Sequence, residues 1–259
     1  MTRAGTNLYP SGTDADARDL DARFLGARRV LRQIDASRER FERGDALRPD
    51  GRLGRDAWLT SGLMYFIAAA DPGQGLASHS RAAAAYAVLL ARAMGIVREK
   101  FLLDLERGAL LHDIGKSVVP GPILEKAGPL GFLEREIVRE HPVVGFRMVE
   151  EFSFLREAAG VVLCHHERYD GRGYPAGLRG DRIPLGARIL AVADALDALT
   201  ADRAYSRARP MEEAIREITR SGGRQFDPAV VDVFLTVPAG AWLAAGRGAA
   251  GLVRLPSVH

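Results

Sequence analysis

The chain has 259 residues, 47% apolar and 27% charged, which is enough for one sizeable domain with a smaller accessory segment. Its 36 basic and 33 acidic residues nearly balance, so we expect no DNA or RNA partner. The single cysteine, Cys164, excludes an internal disulfide, and no apolar run approaches the ~20 residues that span a bilayer, so we predict a cytoplasmic protein without a membrane span.

Residues 1–57 are predicted to form a segment apart from the main domain. Between residues 19 and 43, apolar side chains recur at steps of four and three, which is typical of a heptad stripe: Leu20, Phe24, Ala27, Leu31, Ile34 and Phe41. Two interpretations carry equal weight. The helix packs on the main domain, or it forms a short coiled coil that joins two subunits in a homodimer. Pro49, Gly51 and Gly54 then predict a linker.

Residues 58–238 are predicted to be one domain built of successive helices. The helical patterns cover 78–94, 101–112, 133–152, 155–166, 185–200 and 211–220. No period-2 alternation or strand–helix repetition is evident, so the predicted fold class is all-α. Residues 239–259 are rich in Gly and Ala and are predicted to be a peripheral tail.

Five of the six histidines lie on or beside predicted helices: His79, His112, His141, His165 and His166. Each histidine alone would more often be a core or surface residue than a metal ligand, but five together favour a metal site. Imidazole nitrogens and carboxylate oxygens suit divalent ions, and a carboxylate can bridge two of them. Two ions ~3.5–4 Å apart can activate water for a phosphoryl displacement.

Two motifs carry a resemblance to a known family. Residues 111–116, LHDIGK, look like the HD-x-G-K signature of the HD hydrolase superfamily. Residues 165–205 contain an HHE triplet, the tripeptide Gly173-Tyr174-Pro175 and a DALT run, and this stretch resembles the HD-GYP subfamily. The resemblance covers roughly residues 60–237. It implies an HD-domain helical bundle, here with an extra N-terminal helix.

The resemblance also implies the roles of individual residues. Asp113 would bridge two divalent ions, iron or manganese, and Lys116 would neutralise a phosphate oxygen during catalysis. Tyr174 and Arg203 would contact substrate, whereas Arg182, Arg188 and Cys164 are read as structural. The two ions would be held by His79, His112 and Asp194 on one side, and by His141, His165 and His166 on the other.

The family substrate is cyclic di-GMP, opened by attack of a metal-bridging hydroxide. Two positions depart from the family pattern: Ala82 replaces an expected Arg, and Gly75 stands where some relatives carry a Glu for a third metal. We therefore predict two ions and the linear dinucleotide pGpG as product. One alternative is a weak or inactive module that binds a cyclic dinucleotide and signals through protein partners. Another is an HD hydrolase of nucleotide mono- or triphosphates, which the GYP run disfavours.

Overall fold

The computed structural model describes residues 76–202 and 207–251, a helical stretch at 28–36, and a few single residues before residue 76. The predicted linker around 49–57, Gly75, Arg203 and His259 lie outside this part. Within it every regular element is a helix, so the all-α prediction is confirmed. The α-helices are α1 (Leu76–Ala93), α2 (Glu99–Leu111), α3 (Gly121–Leu124), α4 (Phe132–Arg139), α5 (His141–Val149), α6 (Arg156–Cys164), α7 (Leu185–Thr200), α8 (Met211–Arg220), α9 (Pro228–Thr236) and α10 (Ala239–Gly251). Short 3₁₀ turns span Ile114–Val118, Ser153–Leu155 and Gly180–Arg182.

The helix predicted over 133–152 is wrong in one respect, because the structure has two helices, α4 and α5, that meet at Glu140. Pro142 explains the break. Proline has no backbone N–H, so it cannot donate to the carbonyl of Val138 one turn earlier. The predictions for 185–200 and 211–220 agree with α7 and α8.

The core is organised around α1, which contacts α2, α7 and α10, while α2 packs on α6 and α6 packs on α5. Leu90 in α1, Leu111 in α2 and Leu190 in α7 are fully buried in one hydrophobic cluster. Each buried leucine contributes about 1.5–3 kcal/mol relative to an exposed one. This packing fixes the positions of the helix ends, and those positions decide where polar side chains can meet.

Residues 239–259 are predicted to be a peripheral tail, but the first part of this segment is not peripheral. Residues 239–251 form α10, and Trp242 in this helix is fully buried. Its indole ring contacts Tyr86 of α1 and Phe234 of α9, with ring centroids 5.8 and 5.1 Å apart. The Gly/Ala-rich composition hid this helix, because small residues give a weak periodic pattern while one tryptophan supplies the buried surface.

The described part of the N-terminal helix packs on the chain's own core. Leu31 and Ile34 belong to the main hydrophobic cluster, and Arg28 forms an ion pair with Glu151, just after α5. The first of the two interpretations of the heptad stripe therefore accounts for these residues. A homodimer through residues 19–43 stays a prediction.

In the described part of the chain, no single helix is long and apolar enough to cross a membrane. Two helical segments, Pro228–Thr236 and Ala239–Gly248, reach that length and composition only as a pair, and they meet at a bend of 92°.

Candidate metal centre

The ends of several helices bring the predicted ligands together. His79 lies near the start of α1, His112 and Asp113 follow α2, and His141 is the first residue of α5. His165 and His166 follow α6, and Asp194 lies in α7. One ligand atom from each of Asp113, His141, His165 and His166 lies within 4.8 Å of the others, and the same holds for His79, His112 and Asp113. Asp113 is common to both groups, as a bridging ligand must be.

Asp194 completes the second group. Its Oδ1 atom lies 3.1 Å from His79 Nε2 and 3.9 Å from His112 Nε2. The structure thus brings all seven predicted ligands into one cluster, in which Asp113 lies between two halves. We call His141, His165 and His166 the imidazole half, and His79, His112 and Asp194 the mixed half.

Three of the imidazoles are oriented by backbone carbonyls. The Nδ1–H groups of His112, His141 and His165 donate to the carbonyl oxygens of Ala109, Val138 and Val162, at 2.7, 2.6 and 2.7 Å. A carbonyl oxygen can only accept, so Nδ1 must carry a proton, and in the neutral ring Nε2 then has the lone pair. In each case Nε2 faces the cluster. This is the tautomer that ligates a metal ion, and the carbonyl partner fixes the ring plane.

The atoms that face one another in the cluster suit a bound cation. His141 Nε2 and His165 Nε2 lie 3.2 Å apart, so in the neutral rings with Nδ1–H two lone pairs would face each other. His112 Nε2 and Asp113 Oδ1 are buried and have no hydrogen-bond partner among the described residues. Burial without a partner costs free energy, and divalent ions held in the two halves would satisfy these two atoms. The donor set of imidazole nitrogens and carboxylate oxygens fits two divalent ions.

The charge states of the imidazole half favour metal binding. Burial and the neighbouring imidazoles lower the pKa of His165 well below its usual range. Burial and His141 lower the pKa of His166 to about 4. These rings are therefore neutral near pH 7, which is the form that binds a metal ion.

The mixed half differs in charge. Burial alone would lower the pKa of His79, but hydrogen bonds to Asp194 and Asp197 outweigh it and raise that pKa to about 9. Burial likewise opposes ionisation of Asp113, yet the Lys116 ammonium holds the pKa of that carboxyl well below its usual range. Lys116 Nζ lies 2.6 Å from Asp113 Oδ2, so Lys116 borders the cluster at the shared carboxylate. Its contact with a phosphate stays a prediction.

A cavity of about 610 Å³ opens beside the ligands and is partly lined by His165, His166 and Asp194. Tyr174 also lines it, and the Tyr174 ring stacks on His166 with centroids 4.9 Å apart. The Arg139 guanidinium lies 4.6 Å from the centre of the same ring. Tyr174 thus contacts a predicted ligand directly, and its contact with substrate stays a prediction.

A family model described as HD domain matches residues 64–230, well over half of the chain. The chain belongs to the HD domain family. It is 43% identical over 148 residues to a cyclic di-GMP phosphodiesterase of Thermotoga maritima, covering 56% of this chain and 40% of that protein. It is 41% identical over 182 residues to a cyclic di-GMP phosphodiesterase of Pseudomonas aeruginosa, covering 68% and 43%. The chain therefore spans about two fifths of the length of these curated relatives, and the resemblance to HD-GYP proteins is confirmed.

The solved structures agree on the fold of this HD domain. A protein from Bdellovibrio bacteriovorus described as HDG"Y"P superposes with a TM-score of 0.55 at 18% identity, covering 88% of this chain and 74% of that one. A cyclic GMP-AMP-specific phosphodiesterase of Vibrio cholerae superposes with a TM-score of 0.52 at 21% identity, covering 67% and 48%.

The glycine of the HD-x-G-K signature has a steric role in this HD domain. A Cβ on Gly115 would overlap the carbonyl oxygen of His141 and crowd the backbone nitrogen of Gly145. Only a residue without a side chain allows the turn after Asp113 to approach α5 this closely. Gly115 therefore holds the shared carboxylate against the first ligand of the imidazole half.

Sequence reasoning gave no role to two buried carboxylates of the HD domain. Glu167, the last residue of the HHE triplet, accepts the backbone N–H groups of Ala176 and Leu178 at 2.7 and 3.0 Å and so closes the GYP loop. Asp197 Oδ2 lies 2.5 Å from His79 Nδ1. The available signal for Asp197 was its spacing of three from Asp194, which places both carboxylates on one face of α7. Arg139 was also missed, because nothing in the sequence links it to Tyr174.

Proposed function

We propose that the chain is a metal-dependent phosphodiesterase that hydrolyses cyclic di-GMP to the linear dinucleotide pGpG. The observation that carries this proposal is the position of Asp113, a buried carboxylate common to two groups of imidazole ligands. The names of the two curated relatives supply the substrate. Iron or manganese is the proposed metal, and the cytoplasm is the proposed location.

Two bound divalent ions would activate water and stabilise the charge that develops on the phosphate. The protein contributes the positions of the groups around them. Asp113 with the mixed half would hold one ion, and Asp113 with the imidazole half would hold the other. The backbone carbonyls that accept from His112, His141 and His165 keep each ring oriented with Nε2 toward the cluster, ready to bind a metal ion.

Lys116 is the proposed partner of the scissile phosphate. Its side chain is 30% exposed and pairs with Asp113, so it lies between solvent and the cluster. A phosphate oxygen entering there would receive the ammonium group as a charged hydrogen-bond donor. Tyr174 and Arg203 are the other proposed substrate contacts, and Tyr174 lines the cavity beside His166 and Asp194.

The proposed product rests on the number of ions. Asp113, Asp194 and five histidines supply enough ligands for two ions, and the sequence has Gly75 where relatives with a third ion carry Glu. We therefore expect one ring-opening cleavage, with pGpG as the end product.

The test is a metal analysis paired with turnover. Protein purified without oxygen, stripped of metal and reloaded with iron or manganese should hold two ions per chain and release pGpG from cyclic di-GMP. Metal-free protein is the control and should show no turnover. Two bound ions with tight substrate binding but no product would favour the inactive signalling module instead.

A second cyclic dinucleotide belongs in the same assay. The chain is also 38% identical over 152 residues to a 3'3'-cGAMP-specific phosphodiesterase of Vibrio cholerae, covering 59% of this chain and 33% of that protein. Faster hydrolysis of 3'3'-cGAMP than of cyclic di-GMP would change the proposed substrate but keep the proposed chemistry.

A further inference from the structure

The Nδ1 atom of His79 has a different kind of hydrogen-bond partner from the Nδ1 atoms of three other histidines in the cluster. His112, His141 and His165 each donate to a carbonyl three residues earlier. His79 Nδ1 instead meets Asp197 Oδ2 at 2.5 Å, a partner 118 residues away on α7. Asp197 is buried, although carboxylates are seldom buried without a specific partner.

The position of each histidine on its helix explains this difference. His112 and His165 directly follow the last residues of α2 and α6. One residue, Glu140, separates His141 from the end of α4. The last four carbonyls of a helix have no intrahelical donor, so a nearby Nδ1–H can bond to one of them. His79 is the fourth residue of α1 as described, and the start of a helix offers free N–H groups rather than free carbonyls. Its Nδ1–H therefore needs an acceptor from another element.

We propose that Asp197 is a positioning residue that fixes His79 for metal binding at the mixed half of the cluster. As the acceptor for Nδ1–H, it holds the ring so that Nε2 faces Asp194 and Asp113, which lie 3.1 and 3.9 Å away. A carboxylate that accepts from Nδ1–H also makes Nε2 more basic, and Nε2 is then a stronger ligand for a metal ion. Asp194 and Asp197 lie on one face of α7 and have different roles. Asp194 would bind the ion, and Asp197 would orient the His79 ring.

This inference rests on the proposed metal centre, and it concerns one of the two ions. Removing the carboxylate should weaken the ion at the mixed half and leave the ion at the imidazole half unchanged, because no imidazole of that half bonds to Asp197 in the described contacts. Partners of this kind typically contribute 10–100-fold in metal affinity. The expected effect of Asp197→Asn is therefore a loss of about 10–100-fold at one site.

The experiment is a titration of metal-free protein with Mn²⁺ in competition with a chelator. Wild type, Asp197→Asn, His79→Ala and the double variant are compared, with Asp181→Asn as the matched control because Asp181 is exposed and pairs with Arg188 away from the cluster. If Asp197→Asn does not fold, Asp197→Ser replaces it in the comparison of Mn²⁺ affinities. We expect two ions on wild type and control, and a selective loss of one ion's affinity in the Asp197 variant.

The double variant shows whether Asp197 acts through His79. If it does, adding Asp197→Asn to His79→Ala changes Mn²⁺ affinity no further. An additional loss in the double variant, a loss of both ions in Asp197→Asn, or affinities equal to wild type would each overturn the inference. Wild-type protein that binds no pair of ions would instead remove the proposed metal centre, and the inference with it.

Discussion

The two halves of the cluster are assembled by contacts of different range. In the imidazole half, His141 and His165 bond to carbonyls three residues earlier, and His166 stacks on Tyr174 eight residues later. In the mixed half, His112 uses the same short-range bond, but His79 depends on Asp194 and Asp197 of α7. Close packing of α1 on α7 is therefore a condition for the mixed half, whereas the imidazole half is built largely within its own stretches of chain.

This difference has an energetic consequence. Orientation by a neighbouring carbonyl is available as soon as the local helix end forms, so little additional entropy is lost when the rings become ligands. Orientation across two helices requires the tertiary fold. We therefore expect the mixed half to be the more sensitive of the two to substitutions in the core.

The largest effect should come from the residue that both halves share. Asp113→Ala removes the ligand common to both groups, so neither ion retains its full set of ligands. Two ions provide several kcal/mol of transition-state stabilisation, which corresponds to about 1,000-fold or more in kcat. Turnover of cyclic di-GMP and metal content per chain are the measurements. Asp181→Ala, at an exposed carboxylate, should leave both unchanged, and a variant at Asp113 with two ions and normal turnover would refute the bridging role.

Removing one ligand from each half should separate the two ions. His166→Ala should weaken the ion of the imidazole half, and His79→Ala the ion of the mixed half, each leaving one ion bound. Turnover should fall by about 100-fold or more in both, because charge stabilisation at the phosphate is incomplete. Metal analysis and the spin coupling between two Mn²⁺ ions provide the readout. If either variant folded as wild type does but lost both ions, the two halves would not bind their ions independently.

Helix order and the identity of the clustered histidines could be predicted from the sequence, because apolar periodicity and motif spacing are local signals. Asp113, with its neighbours in the LHDIGK motif, lies beside the other ligands as the resemblance implied. Two features could not be predicted: α10 contributes Trp242 to the core, and Asp197 reaches His79. Each depends on which distant group comes into contact, and that information is absent from any short window of sequence. The division of one expected helix at Pro142 differs from these two, because proline is itself a local signal for a helix break.

The contact between the two halves can be loosened without touching a ligand. Gly115→Ala places a Cβ where it overlaps the His141 carbonyl, and the backbone must shift. Overpacking of this kind costs about 1–3 kcal/mol, and here it also separates Asp113 from His141. Gly160 in α6 is the matched control, since a Cβ there meets nothing within 4 Å. Gly160→Ala should stabilise its helix by about 0.5–1 kcal/mol.

Thermal unfolding of the metal-free protein measures both glycine variants. The midpoint should fall for Gly115→Ala and stay level or rise for Gly160→Ala. Equal midpoints would mean that the turn after Asp113 can relax, and that the approach to α5 does not limit stability.

The smallest effect should be confined to the imidazole half. Glu167 is buried and accepts two backbone N–H groups that close the loop carrying Tyr174. In Glu167→Gln the amide NH₂ faces one of those N–H donors, so one bond is lost at a cost of about 1–3 kcal/mol. Tyr174 should then stack less firmly on His166, and Mn²⁺ affinity at that half should fall less than the 10–100-fold expected for loss of a direct partner of a ligand.

Glu134→Gln is the control for this comparison. Glu134 also accepts a backbone N–H, from Gly131 at 2.6 Å, but it is solvent-accessible and pairs with Lys126. Water can replace what its carboxylate loses, so the loss of stability should be smaller than in Glu167→Gln. Proteolysis between residues 171 and 178, with Mn²⁺ affinity measured on the same samples, distinguishes the two variants. A Glu167 variant with faster cleavage but unchanged affinity would show that His166 is held by its place after α6 alone, and that the GYP loop contributes to the cavity wall rather than to the ligand.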